Sequence, residues 1–113
     1  MKKSDKKIDN SLRLALTEVC ETSIDEVTGF KWLTHFANFR DFPGSLSVVC
    51  VFDTNDNLSS ARQNHKADFL FSLIKEKLSA VNIQIKDMRP HVGFDTEEAC
   101  DKENGGRWSD RFG

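Results

Sequence analysis

The tripeptide Phe-Asp-Thr occurs twice in this chain, at residues 52–54 and 94–96. Each copy follows a strand-like segment and precedes a polar run that can open a helix. If the two strands are neighbours in one sheet, their ends bring Asp53 and Asp95 together, which is how many α/β folds build a metal or substrate site. With Glu98, these acids would supply the oxygen ligands that Mg²⁺ prefers and that phosphoryl chemistry uses.

Helix capping is the alternative reading of the same acids. Asp53 with Asp56, and Asp95 with Glu98, have the spacing at which a first acid accepts backbone N–H bonds and a second favours the positive helix end. Capping requires only local geometry, whereas a shared ion requires distant segments to converge. We therefore expect two caps, and a small metal-dependent enzyme using Asp53 and Asp95 stays the alternative.

Nucleophilic chemistry would need Cys100, His91 and Asp95, which include the residue types of a Cys-His-acid arrangement. Nothing in the sequence sets their geometry. The other two cysteines, Cys20 and Cys50, lie in apolar patterns typical of buried residues, and no close cysteine pair predicts zinc or a disulfide framework. The glycine-rich nucleotide-binding loops Gly-x-Gly-x-x-Gly and Gly-x-x-x-x-Gly-Lys are both absent from the sequence. No cofactor is predicted.

An aromatic surface is the candidate binding site. Trp32, Phe36 and Phe39, with Arg40 beside them, could stack bases and hold phosphates if they are exposed on a sheet. The same aromatics could instead fill the core, because strand spacing places Phe30, Trp32 and Phe36 on one face that a helix would cover. The pattern favours the core, and the binding surface remains a hypothesis.

The composition describes one globular module. A chain of 113 residues is long enough for one hydrophobic core and too short for two, so we expect a single domain over residues 1–113. Its nine Phe and two Trp supply large apolar side chains for that core. A net charge of −2 argues against a general nucleic-acid coat protein. The start of the chain is too polar for a signal peptide, and no apolar run approaches membrane-spanning length, which predicts a cytoplasmic protein without membrane contact. Residues 1–5 are expected to form a frayed basic terminus.

Periodicity predicts a two-layer α+β domain, a small sheet with helices on one face, in the order α-β-β-α-β with an uncertain further strand and a short C-terminal helix. The predicted segments are a helix over 5–21, strands over 30–36 and 46–52, a helix from about 58 to 81, strands over 83–85 and 91–94, and a helical turn or two after residue 96. Gly105-Gly106 should end the last helix. Trp108 and Phe112 suggest that the tail docks on the domain.

Four blocks of the sequence resemble a group of small gammaproteobacterial proteins that are sometimes labelled Fis-family transcriptional regulators. The blocks are Leu12–Glu21, Trp32–Phe36, Ser47–Thr54 and Phe94–Cys100. The resemblance implies a role in transcription regulation and carries no site residues with it. The C-terminal third, with a strand-like segment, Pro90 and a glycine pair, does not predict the helix-turn-helix with which a Fis-type regulator ends.

Together these patterns favour a non-enzymatic cytoplasmic module that binds a protein or nucleic-acid partner, with a homodimer as one form of protein partner. The rival is the metal-dependent enzyme, in which Glu98 or His91 would assist as acid or base.

Overall fold

The computed structural model describes residues 3–113, which form five α-helices and three β-strands. In chain order these are α1 (Lys3–Glu26), β1 (Phe30–Phe36), β2 (Ser47–Phe52), α2 (Asn55–Gln63), α3 (Lys66–Ala80), β3 (Val92–Thr96), α4 (Glu97–Asn104) and α5 (Trp108–Phe112). Two 3-10 turns, Phe39–Asp41 and Arg89–His91, precede β2 and β3. The predicted α+β class with a small sheet is confirmed.

The three strands form one sheet in the order β1-β2-β3. β1 and β2, the two strands predicted over 30–36 and 46–52, pair antiparallel as a hairpin, and β2 and β3 pair parallel. Parallel neighbours need a crossover connection, and α2 with α3 provides it. β3 is therefore the edge strand that the sequence suggested near residues 91–94, and it runs on to Thr96.

The core lies between one face of the sheet and the helices α1 and α3. Side chains alternate between the two faces of a strand, and this core face carries Val48, Cys50 and Phe52 of β2, none of which is exposed. The apolar faces of α1 and α3 both pack against it through their buried residues: Leu12, Ala15, Leu16, Val19, Leu70, Leu73, Ile74 and Leu78.

The first helix is longer at both ends than its predicted range of 5–21. It begins at Lys3, so residues 3–5 of the expected frayed terminus are helical, whereas residues 1 and 2 lie outside the described range. No helix within residues 3–113 is both long enough and apolar enough to cross a membrane.

The predicted second helix is in fact two helices. The sequence predicts a helix only from about residue 58, but α2 begins at Asn55 because the Thr54 hydroxyl caps it by accepting the backbone N–H of Asn57 at 3.1 Å. The chain then breaks at His65, whose φ of +62° is left-handed and cannot continue a helix. The helical spacing of apolar residues could not locate this break, because the apolar stripe continues in α3 after it.

The predicted strand over residues 83–85 is wrong, although Ile83 and Ile85 are buried as its alternation required. Asn82 takes a left-handed φ of +65° and donates its N–H to Ser79. The N–H of Ile83 donates to the Leu78 carbonyl at 2.9 Å. These bonds close α3 with a Schellman motif, so the Ile83 N–H is already used and cannot join a strand ladder.

A β-bulge overturns the prediction that Phe30, Trp32 and Phe36 share a face. The register passes from Phe30 opposite Phe52 to Trp32 opposite Val51, which leaves Lys31 as the extra residue. Phe30 therefore points into the core, where its ring lies 5.9 Å from that of Phe52. Trp32 and Phe36 belong to the opposite, outer face of the sheet.

The loop between α1 and β1 depends on Gly29, which has a φ of +85°. A Cβ there would stand 2.6 Å from Asn57 Cβ and 2.7 Å from Asp53 Oδ1. Replacing Gly29 with Ala should lower the free energy of unfolding by about 1–3 kcal/mol, because it adds both backbone strain and a clash. Urea denaturation measures the change.

The matched control is Gly93→Ala in β3, where a Cβ would meet no atom within 4 Å. Alanine loses less conformational entropy than glycine in a strand, so this variant should be as stable as the parent or up to about 1 kcal/mol more stable. Equal losses in the two variants would contradict the close approach at Gly29.

Candidate functional site

The two Phe-Asp-Thr copies end neighbouring parallel strands and start two helices side by side. In both copies the threonine is the helix cap. The Thr54 hydroxyl accepts from the N–H of Asn57, and the Thr96 hydroxyl accepts from the N–H of Ala99 at 3.0 Å. The expectation that the aspartates themselves cap the helices is therefore wrong by one residue, because threonine reaches the same orphan donors.

The Asp53 carboxylate accepts hydrogen bonds from two residues that follow it closely in the sequence, Thr54 and Asn57. Its Oδ1 lies 2.9 Å from Asn57 Nδ2 and 2.7 Å from the backbone nitrogen of Thr54. The Asn57 amide is the largest influence that lowers the pKa of Asp53 below its ordinary range, and the Thr54 N–H acts in the same direction. Both bonds favour the ionised carboxylate. The Asp53 carboxylate is therefore fixed at the start of α2, while the backbone N–H of Asp53 donates to the Gly29 carbonyl of the α1–β1 loop at 2.9 Å.

Asp95 has a different partner, Arg111 of α5. The guanidinium donates from Nε to Oδ2 at 2.5 Å and from a terminal nitrogen to Oδ1 at 2.9 Å, a two-bond fork. The side chains of Arg111 and Asp95 are only 20% and 15% exposed. The same guanidinium also donates to Glu103 at 2.8 Å and to Asn104 at 3.0 Å. This ion pair ties the last helix to the outer face of the sheet.

Glu98 joins the two helix starts. Its Oε1 accepts the backbone N–H of Asn55 at 2.9 Å, and its own N–H donates to the Asp53 carbonyl at 3.1 Å. The Thr96 hydroxyl donates to Asn55 Oδ1 at 2.5 Å. The three bonds fasten the start of α4 to the start of α2.

The proposed metal ligands Asp53, Asp95 and Glu98 thus have separate partners. In the parallel pair, Asp95 lies opposite Val51, and Asp53 is two residues further along the chain from that position. Within residues 3–113, no group of three or more His, Cys, Asp or Glu side chains is arranged to hold a metal ion. The sequence analysis predicted neither contact: Asn57 lies only four residues after Asp53, whereas Arg111 lies 16 residues after Asp95 and reaches it through the docking of α5.

The Cys-His-acid arrangement is not assembled. Cys100 is fully buried, and burial raises the pKa of its thiol, which disfavours the thiolate nucleophile. His91 lies at the opposite end of β3, about 13 Å from Asp95 at the usual rise of a strand. Its Nδ1 donates to the Leu46 carbonyl at 2.7 Å, so the ring braces the hairpin.

The four predicted binding residues divide into two places. Trp32 and Phe36 lie on the outer face, where Trp108 and Phe112 of α5 cover them edge to face at centroid distances of 4.8 and 5.4 Å. The expected docking of the C-terminal tail is confirmed by these contacts.

Phe39 and Arg40 lie outside this face contact, in the 3-10 turn after β1. Phe39 packs against Phe42 at 5.5 Å, and Arg40 is exposed. The Trp108 and Phe112 spacing of four residues is one helical turn, and it is the sequence signal that could have identified α5 as the partner of Trp32 and Phe36.

α5 covers only part of the outer face. The row across the sheet under Trp108 and Arg111 runs Trp32, Val51, Asp95, and Val51 is fully buried. The next row runs through Thr34, Val49 and Gly93; Thr34 and Val49 are half-buried and Gly93 is exposed.

Two large apolar side chains stand at the border of this open row: Phe36 is 46% exposed and Phe112 is 36% exposed. We call Thr34, Phe36, Val49, Gly93 and Phe112 the outer patch. It joins aromatic edges to a flat strip of small side chains, which is a surface that can pack against another molecule.

Comparison with known proteins gives no relative: no family model, curated protein or solved structure matches this chain. The resemblance to proteins labelled Fis-family regulators therefore stays an expectation from sequence. The two C-terminal helices, α4 and α5, are separated by Gly105-Gly106-Arg107, and α5 faces the sheet through its aromatic residues.

Removing the guanidinium of Arg111 should release α5. Arg111→Met leaves the Asp95 carboxylate partly buried without its main partner, so we expect a loss of about 1–3 kcal/mol in the free energy of unfolding. Trp32 and Trp108 are the only tryptophans in the chain and they contact each other, so their fluorescence should shift to the red as α5 leaves the sheet.

The matched control is Arg107→Met, which removes an ion pair to Asp110 whose side chains are 69% and 57% exposed. Exposed pairs contribute between zero and about 1 kcal/mol, and this one does not reach the sheet. An unchanged tryptophan spectrum in Arg111→Met would contradict the role of the Asp95 ion pair in holding α5.

The low pKa of Asp53 has a pH-dependent consequence. A lowered pKa in the folded state stabilises the protein while the carboxylate is ionised, and the gain disappears as the pH falls through that pKa. In Asn57→Ala the loss of stability should therefore be largest at neutral pH and shrink as the pH falls below about 3.9, the usual pKa of aspartate. Urea unfolding of both proteins at pH 7 and pH 3 measures the difference. A loss that is equal at both pH values would mean that Asn57 acts by packing alone.

Proposed function

We propose that this chain is a non-enzymatic module that binds a protein partner through the outer patch. The observation that carries the proposal is the contact between Phe36 and Phe112, two exposed aromatic side chains 5.4 Å apart on a sheet face that α5 leaves half covered. Single exposed apolar residues are ordinary, but contiguous ones beside a flat surface are typical of interaction sites.

The charges around the patch favour a protein over a nucleic acid. A stacking platform for bases needs free cations nearby to hold phosphates. The cation closest to the patch on α5 is Arg111, and its guanidinium is already bound to Asp95 and Glu103. The net charge of −2 adds no general attraction for a polyanion. A role in transcription regulation, which the sequence resemblance implies, would then be exercised through another protein.

The test is a photo-crosslinking amino acid placed at Gly93 of the full chain in its native cells. A Cβ at Gly93 would meet no atom within 4 Å, so the probe has room beside Val49 and should react with whatever covers Val49 and Phe36. We expect one discrete protein adduct, either with another protein or with a second copy of the chain. Adding Phe36→Ser should reduce it about tenfold or more, the usual loss for an aromatic anchor.

The matched control places the same probe at Glu76, an exposed residue of α3 on the other side of the domain. The same adducts from both positions, or adducts that do not depend on Phe36, would contradict the proposal. An electrophoretic mobility-shift assay with mixed RNA and DNA at low and high salt tests whether the patch binds nucleic acid. A shift at low salt that Phe36→Ser abolishes would assign the patch to nucleic acid instead.

A further inference from the structure

A groove of about 480 Å³ opens between the start of α1, the end of α3 and the turn before β2. This α1–α3 groove lies on the side of the domain away from the outer patch. Its floor is apolar and is made by five side chains from three separate segments: Ile8, Phe42, Pro43, Val81 and Ile83. The volume is within the range of small-molecule sites, and a mainly apolar lining with a few polar groups is their usual composition.

Each polar side chain that lines the groove can donate a hydrogen bond, and no acidic side chain lines it. Lys7 stands at its border and forms no ion pair within residues 3–113. Ser11 contributes a hydroxyl from the next turn of the same helix face. The local charge therefore favours an anionic group over a cationic one.

Two amides complete the donor set after the end of α3. Asn82 is held beside the groove by its left-handed backbone in the Schellman motif, and its side chain forms no hydrogen bond within residues 3–113. Gln84 Oε1 accepts from the Ser79 hydroxyl at 3.4 Å, which directs its NH₂ group away from that oxygen and leaves it available as a donor.

The groove is elongated. A second pocket of about 330 Å³ shares Pro43 and Gln84 with it and continues past Ile85 towards Pro90. Asp87, the acid in this extension, is bound to Arg89 at 3.1 Å. A chain-like apolar tail fits such a shape better than a compact ring system.

We propose that the α1–α3 groove binds an amphipathic carboxylate, with the carboxylate at Lys7 and an unbranched apolar tail along the floor. The lysine supplies the charge, Ser11, Asn82 and Gln84 supply neutral donors, and the isoleucine, valine and phenylalanine side chains cover the tail. This site is separate from the outer patch, so its success or failure does not decide the proposed protein-binding function.

Three probes separate the contributions of head and tail. Decanoate carries both, decyltrimethylammonium carries the same tail with the opposite charge, and acetate carries the head alone. Each is titrated below its micelle concentration into the full chain while amide chemical shifts are recorded by NMR. We expect saturable shifts with decanoate at Ile8 and at residues 81–84, weaker binding of decyltrimethylammonium, and no binding of acetate.

Lys7→Gln should weaken decanoate about fivefold, the size of a single exposed ion pair. Lys6→Gln is the matched control, since Lys6 is the preceding residue of the same helix and does not line the groove. It should leave the affinity unchanged. Both changes lie on the exposed side of α1 and spare the core.

The proposal is overturned if decanoate produces no saturable shift, if the cationic probe binds as tightly as decanoate, or if the two lysine variants weaken binding equally. Shifts centred on Gly93 would also overturn it, because they would place the tail at the outer patch.

Discussion

The parallel pairing of β2 with β3 is the constraint on which the rest of the structure depends. Parallel strands must be joined by a crossover, and α2 and α3 fill that role while covering the core face. The same pairing brings two strand ends to one edge of the sheet, so α2 and α4 start side by side. The bonds among Asn55, Thr96 and Glu98 depend on this adjacency. α4 then leads the chain to the outer face, where α5 docks.

One face of the sheet is buried in the core and the other is partly open. The bulge in β1 determines which aromatic side chains lie on each face. With Lys31 as the extra residue, Phe30 joins the buried core and Trp32 and Phe36 turn outward. A five-residue helix is too short to cover the whole outer face, since it spans only about 7.5 Å. The uncovered row of β-residues and the exposed Phe36 follow from that shortness.

Asp53 and Asp95, which the sequence offered as ligands of a shared metal ion, each bind a separate partner instead. Asp53 is held by an amide four residues later, and Asp95 by a guanidinium from the end of the chain. The Asp53 carboxylate fixes the start of α2, and the Asp95 carboxylate holds α5 on the sheet. Local spacing could indicate a helix start after each strand, but it could not show which donor each aspartate would meet.

The sequence by itself determined the α+β class, the amphipathic helix α1, the apolar stripe of α3, strands β1 and β2 and the end of α4 at its glycines, because periodicity, turn residues and caps act over a few neighbours. Tertiary structure alone decided the bulge at Lys31, the left-handed break at His65 and the closure of α3 that removes Ile83 from a ladder. It also decided where the aromatic residues meet, since Trp32 and Trp108 lie 76 positions apart. Such contacts depend on how the whole chain packs, which no local pattern encodes.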